Sequence, residues 1–142
     1  MANYLASSRT NYFRVTDELR YAELFQNLCA DGDCVDDFTK VVDGVTLHAF
    51  GGYGSIEYVI PAKEGEDEEY NFDVFLEELQ KILPADDAFI LVECGHEKLR
   101  YLTAFAVIAT KDKVESVDLS TSAVNMAAEM LGIGDFETRL EY

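Results

Sequence analysis

One apolar stripe, closed by proline, does most to restrict the folds open to this chain. Phe72, Phe75, Leu76, Leu79, Ile82 and Leu83 recur at helical spacing, so they share one face of a helix. Pro84 ends that helix because it lacks an N–H and clashes with the preceding turn. The period then changes. Ala88 to Cys94 is a short, nearly continuous apolar run, which reads as a strand. A striped helix that feeds a strand has to bury its stripe against sheet, which points to an α+β architecture.

The sheet is expected to be antiparallel. Phe38 to Val42 and Val45 to Phe50 flank Asp43-Gly44, and both centre positions of such a two-residue turn need positive φ, which Asp and Gly supply. Gly51-Gly52-Tyr53-Gly54 reads as a further turn and Ile56 to Ile60 as a strand stopped by Pro61. Beyond the striped helix, Gly95-His96-Glu97-Lys98 is expected to turn the chain. Leu99 to Thr110 and Val114 to Leu119 then form strands around Lys111-Asp112-Lys113. Leu99 to Thr110 is apolar on both faces, as befits a central strand or one whose outer face meets a partner. The latter case also suits a homodimer paired across a two-fold axis.

At the N-terminal end, Asn11 to Val15 reads as a short strand. Thr16 is placed as an N-cap, with Tyr21, Leu24, Phe25 and Leu28 forming one helical face that ends at Asp31-Gly32-Asp33. Thr121 or Ser122 is expected to cap a last helix, whose face includes Val124, Ala127, Met130 and Leu131 and whose C-cap is Gly132. The expected order is β-α-β-β-β-α-β-β-β-α in a single domain spanning 1–142, with helices on one sheet face. The similar central blocks admit an internal duplication.

Charge restricts function. The chain carries 28 Asp and Glu against 11 Lys and Arg, a formal charge of −17 over 142 residues. Such a surface repels nucleic acid and anionic membrane and attracts basic proteins. No apolar run approaches the roughly 20 residues needed to cross a bilayer, residues 1–14 lack a signal-peptide pattern, and three cysteines fit a reducing compartment. A cytoplasmic location is the expectation.

The acids cluster. Glu64, Glu66, Asp67, Glu68 and Glu69, with Asp73 beyond, form one group; Asp31, Asp33, Asp36 and Asp37 form a second; Glu77 and Glu78 add a third patch. Such groups either solvate a loop or dock on a Lys/Arg-rich partner, where ordered carboxylates can occupy a nucleic-acid channel as DNA does. Arg9, Arg14 and Arg20 either pair locally with Asp17, Glu18 or Glu23 or form a small basic counter-patch.

Other chemistry has weaker signatures. Asp31-Gly32-Asp33 begins like a calcium loop, but Val35 stands at a ligand position. Cys29, Cys34, Cys94 and His96 are zinc-ligand types with no recognised knuckle spacing, and buried thiols explain Cys29 and Cys94 as well. His48 and His96 read as structural histidines. Ser55 lacks the glycine that follows a nucleophile elbow. Gly51-Gly52-x-Gly54 has no following Lys-Ser/Thr, so it is no P-loop. No catalytic residue, metal or cofactor is assigned, and an enzyme is not expected.

Three stretches carry a resemblance: Met1 to Phe13, Phe75 to Pro84 and Gly95 to Tyr101. They resemble a family of small acidic bacterial proteins carried by plasmids, phages and conjugative elements. That resemblance implies a setting like that of anti-restriction and anti-CRISPR proteins, many of them small, acidic and non-enzymatic. Leu83-Pro84 after an amphipathic helix is also similar to a pattern of toxin-immunity proteins, from which the following strands depart. The expectation is a binding protein that docks acidic patches on a basic, nucleic-acid-binding host protein. The alternative is an immunity-type or other interaction protein that uses an apolar sheet face.

Overall fold

A computed structural model describes residues 4–138. Its first half holds β1 (Leu5–Thr10), α1 (Glu18–Phe25), β2 (Leu28–Ala30), β3 (Asp33–Cys34), β4 (Asp36–Asp37), β5 (Lys40–Val42), β6 (Val45–Leu47), β7 (Phe50–Tyr53) and β8 (Ile56–Ile60). The second half holds β9 (Glu69–Tyr70), α2 (Phe72–Gln80), β10 (Phe89–Glu97), β11 (Tyr101–Ala109), β12 (Val114–Asp118) and α3 (Leu119–Leu131). The fold is α+β and every strand pairing is antiparallel.

A six-stranded sheet runs β12-β11-β10-β1-β7-β4, a four-stranded sheet runs β3-β2-β8-β9, and β5-β6 is a separate hairpin. Side chains alternate across a strand, so register decides which residues share a face. Phe89, Leu91 and Glu93 lie opposite Ala109, Val107 and Phe105 on one side, and Leu91 and Glu93 lie opposite Thr10 and Ser8 on the other. That inner face is covered by α1, α2 and the small sheet. One core joins Tyr21 and Leu24 of α1, Phe75, Leu76 and Leu79 of α2, Ile56 and Tyr58 of β8, and Phe50, Phe89 and Leu91 of the large sheet. Phe13, Leu24, Phe50, Phe75, Leu79, Leu83 and Phe89 are wholly buried, each contributing about 1.5–3 kcal/mol. Phe13 sits edge-on to Phe89 and Tyr21, with centroids 5.2 and 5.7 Å away.

Several elements differ from the sequence reading. The first strand is Leu5–Thr10, within the polar N-terminal run, whereas Asn11 to Val15 forms only a bridge between Phe13 and His48. Ser8 and Thr10 bear burial because their hydroxyls are bonded: Ser8 donates to the Gly54 carbonyl at 2.7 Å, and Thr10 accepts from the Phe50 N–H at 3.0 Å. Asp17, not Thr16, caps α1, accepting from the Arg20 N–H at 3.0 Å; Thr16 instead donates to the Ile82 carbonyl. Helix α1 stops at Phe25, and Leu28 is buried from β2.

Gly51 to Tyr53 is not a turn but strand β7, between β1 and β4. Its glycines admit close neighbours: a Cβ on Gly51 would meet the Ser8 carbonyl oxygen at 2.7 Å. Gly95 to Glu97 continues β10, so the reversal falls at Lys98, whose φ is +50°. Asp118 caps α3, accepting from the Thr121 N–H at 2.9 Å. The hairpin turn at Asp43-Gly44 has φ of +52° and +78°, and Gly132 is a left-handed cap at +68°.

Strand β11 lies between β10 and β12 in the sheet order, and Leu102 on it is exposed. Helix α3 adds no buried residue to the core. The two similar blocks also take unlike places, since β2 follows α1 into the small sheet and β10 follows α2 into the large one.

Candidate interaction surface

The acidic side chains sit where local structure exposes them. Glu64, Glu66, Asp67 and Glu68 occupy the connection between β8 and β9, Glu69 begins β9, and Asp73 lies in the first turn of α2. All six are exposed. Asp73 stands where the helix dipole favours an anion, and Asn71 caps the helix by accepting from the Asp73 N–H at 3.1 Å. Glu77 is exposed. Glu78 is drawn into ion pairs with Arg20 at 3.0 Å and Lys81 at 2.9 Å. The hydrogen bond from Lys81, then that from Arg20, holds its carboxyl below the ordinary glutamate value.

The second group is split by strand geometry. Asp31 and Gly32 form the tip of the β2–β3 hairpin, with φ of +48° and +84°. Asp33 is in β3, and Asp36 and Asp37 form β4 at the edge of the large sheet. All four are exposed. Asp31 presses its carboxylate against Gly54, whose φ of +124° and missing Cβ make room for it. Asp37 accepts from the Thr39 N–H at 2.9 Å.

These two groups do not merge. Ala30 pairs with Ile56, at the start of β8, while the 64–69 segment follows its end. The length of β8 lies between the Asp31-Gly32 hairpin tip and the start of the 64–69 segment, about 13 Å at 3.3 Å per residue. That exceeds the roughly 8–10 Å screening length at ordinary ionic strength, so they act as two patches. Glu57 stands exposed between them.

The ion pairs use other acids. Arg14 binds Asp86 and Asp87, Arg20 binds Glu23 and Glu78, and Lys81 binds Glu78. Arg20 thus pairs with Glu23, one of its expected local partners, while Arg14 reaches acids far along the chain. Arg9 lies over the Phe38 ring, 5.0 Å from its centroid. It helps line an open groove of about 440 Å³ on the outer sheet face, with Ser7, Asp36, Tyr53, Val92 and Cys94.

The metal-ligand types do not converge. Cys29 and Cys34 face each other across β2 and β3 of the small sheet, whereas Cys94 and His96 project from exposed positions of β10. Among the described residues no three His, Cys, Asp or Glu come close enough to hold an ion.

The partners in two polar clusters escaped the sequence reading, which takes His48 as a structural histidine. His48 is buried, with Nε2 2.6 Å from Glu18 Oε2 and Nδ1 3.3 Å from Thr39 Oγ1. Its ring lies 4.1 Å from that of Tyr21. The histidine thereby ties α1 to the strand segments around residues 39 and 48. Glu93 is also buried, accepting from the Tyr4 hydroxyl at 2.8 Å and the Ser8 hydroxyl at 3.4 Å. Burial, then the Glu93 hydrogen bond, raises the Tyr4 phenol pKa. The spacing of Phe89, Leu91 and Glu93 was the available signal for this cluster, since residues two apart share a face. Nothing in the sequence pairs Glu18 with His48.

No helix among the described residues is long and apolar enough to cross a membrane. The chain matches no protein-family model, no curated protein and no solved structure.

Proposed function

We propose that this protein acts by binding, docking its acidic patches on a basic, nucleic-acid-binding host protein as a mobile-element inhibitor or adaptor of the anti-restriction or anti-CRISPR kind. One observation carries the reading. Glu64, Glu66, Asp67, Glu68, Glu69, Asp73, Asp31, Asp33, Asp36 and Asp37 are all exposed, and none has an ion-pair partner among the described residues. Unpaired carboxylates at that density attract a Lys/Arg-lined channel over several ångströms, and binding falls as salt rises.

Affinity capture from host lysate with the tagged protein, washed at low and then high salt, tests it. A nucleic-acid enzyme held at low salt and released at high salt is expected. Reversing Glu64, Glu66, Asp67 and Glu68 to Lys is expected to weaken capture steeply. Capture indifferent to both salt and reversal would remove the acidic patches from the account.

A second reading rests on α3. Leu119, Ala123, Met126 and Met130 recur at alternating spacings of four and three, the seam of two packed helices, and all four are exposed, Met130 at 86%. Only Glu129 is charged in this helix. Leu102, Thr103 and Ala104 of β11 flank it across a crevice of about 330 Å³. This face suits an apolar partner, a second copy included. Its binding is expected to survive high salt and to be lost in Met126→Glu/Met130→Glu.

A further inference from the structure

We infer that Cys29 and Cys34 form a cross-strand dithiol that closes into an intramolecular disulfide by exchange with a low-molecular-weight disulfide. Turn geometry carries the argument. Asp31 and Gly32 both have positive φ, +48° and +84°, the signature of a two-residue type I′ hairpin. Ala30 and Asp33 flank that turn as the closing pair, and Cys29 lies directly opposite Cys34 as the next. Antiparallel pairs alternate between hydrogen-bonded and non-hydrogen-bonded. With the closing pair hydrogen-bonded, the cysteines take the non-hydrogen-bonded position, where Cα atoms are about 4.5 Å apart. That spacing falls inside the range a disulfide spans, roughly 4.4–6.8 Å.

Both thiols are free, and accessibility sets the order of attack. Cys34 is exposed and Cys29 half-buried. Burial, then the nearby Glu57 carboxylate, raises the Cys29 thiol pKa, so Cys34 reacts first. Its thiolate attacks one sulfur of oxidised glutathione, forming a mixed disulfide and expelling one glutathione thiolate. The Cys29 thiolate then attacks the Cys34 sulfur, expelling the second glutathione. One S–S bond forms in the protein and one breaks in the reagent. The two thiol protons pass to the leaving thiolates. Cys94 stands on β10 of the other sheet and takes no part. Exposed disulfides of this kind are labile and readily reversed.

The full chain, equilibrated in graded mixtures of reduced and oxidised glutathione, quenched with acid, alkylated and mapped by peptide mass, tests this. Cys29 and Cys34 are expected to lose alkylation together, with no glutathione retained on either, while exposed Cys94, which has no facing thiol, loses it only to a glutathione adduct; dithiothreitol restores all three. A persistent glutathione adduct on Cys34 beside a free Cys29, or a bond from Cys94 to either, would overturn the proposal. Gly32→Val places a β-branched residue at φ +84°. It is expected to shift the half-closure ratio about tenfold toward the oxidant, a change of about 30 mV, with circular dichroism checking the fold. An unchanged ratio would refute the role given to the turn.

Discussion

Tyr21 offers a sharp test of the core. Its side chain is buried, packed 4.1 Å from the His48 ring and 5.7 Å from Phe13, and its hydroxyl has no hydrogen-bond partner among the described residues. Leaving such a group unsatisfied costs about 1–3 kcal/mol. Tyr21→Phe keeps the ring contacts and removes the orphan oxygen, so it is expected to stabilise the fold by about 1–2 kcal/mol. At about 3 °C per kcal/mol for a chain of this length, Tm should rise by about 3–6 °C in calorimetry. A linked pH effect follows. Burial, then the charges of Asp37 and Glu18, pushes the Tyr21 phenol far above 10.0. A raised folded pKa means this group's stabilising contribution is complete below the unfolded value and is lost as pH rises through the folded one. The gap between Tyr21→Phe and wild type should therefore widen above about pH 10, as the unfolded chain ionises first. A variant less stable than wild type by more than about 1 kcal/mol would refute the reasoning and assign the hydroxyl a bonded partner.

The glycines of β7 and of the hairpin turn separate two effects. Gly44→Ala, at φ +78° in open space, is expected to cost about 1 kcal/mol. Gly51→Ala, facing the Ser8 carbonyl oxygen at 2.7 Å, should cost more because backbone has to move; urea melts of the two variants should differ in that order. Glu78→Gln removes a depressed carboxyl whose contribution is present above the ordinary value of 4.5 and lost as pH falls through the folded value. Its partners Arg20 and Lys81 are substantially exposed, so screening holds the expected loss below about 1 kcal/mol at neutral pH. The loss should shrink toward zero in acid, and a loss that persists there would tie it to packing instead.

Legibility followed the range of the interactions involved. The Asp43-Gly44 turn, the α2 stripe from Phe72 to Leu79 and the Gly132 cap rest on φ preference and side-chain period, properties of a few adjacent residues. Pro84, by contrast, does not end α2, which stops at Gln80 and leaves Ile82 and Leu83 buried from the segment that follows it. The apolar run of Leu99 to Thr110 likewise marked a long strand, observed as Tyr101–Ala109. Exposure of the acidic clusters was legible too, because unpaired carboxylates stay hydrated. Asp31-Gly32 carried the same two-residue turn signal as Asp43-Gly44, but the helical spacing of Leu28 masked it; the structure ends α1 early and turns Leu28 inward from β2.

What tertiary structure alone decided depended on partners distant in the chain. Ser7 to Thr10 shows no apolar alternation, yet it becomes a central strand because β10 and β7 satisfy its backbone on both sides and the Gly54 carbonyl and Phe50 N–H engage its buried hydroxyls. Gly51 and Gly52 become strand because β1 approaches closer than a Cβ allows. Cys29 meets Cys34 through hairpin register, and the acidic groups stay two patches because β8 lies between them. Local chemistry thus determined which segments are helix, turn or exposed anion. Sheet register, which no single segment encodes, determined which of them face one another.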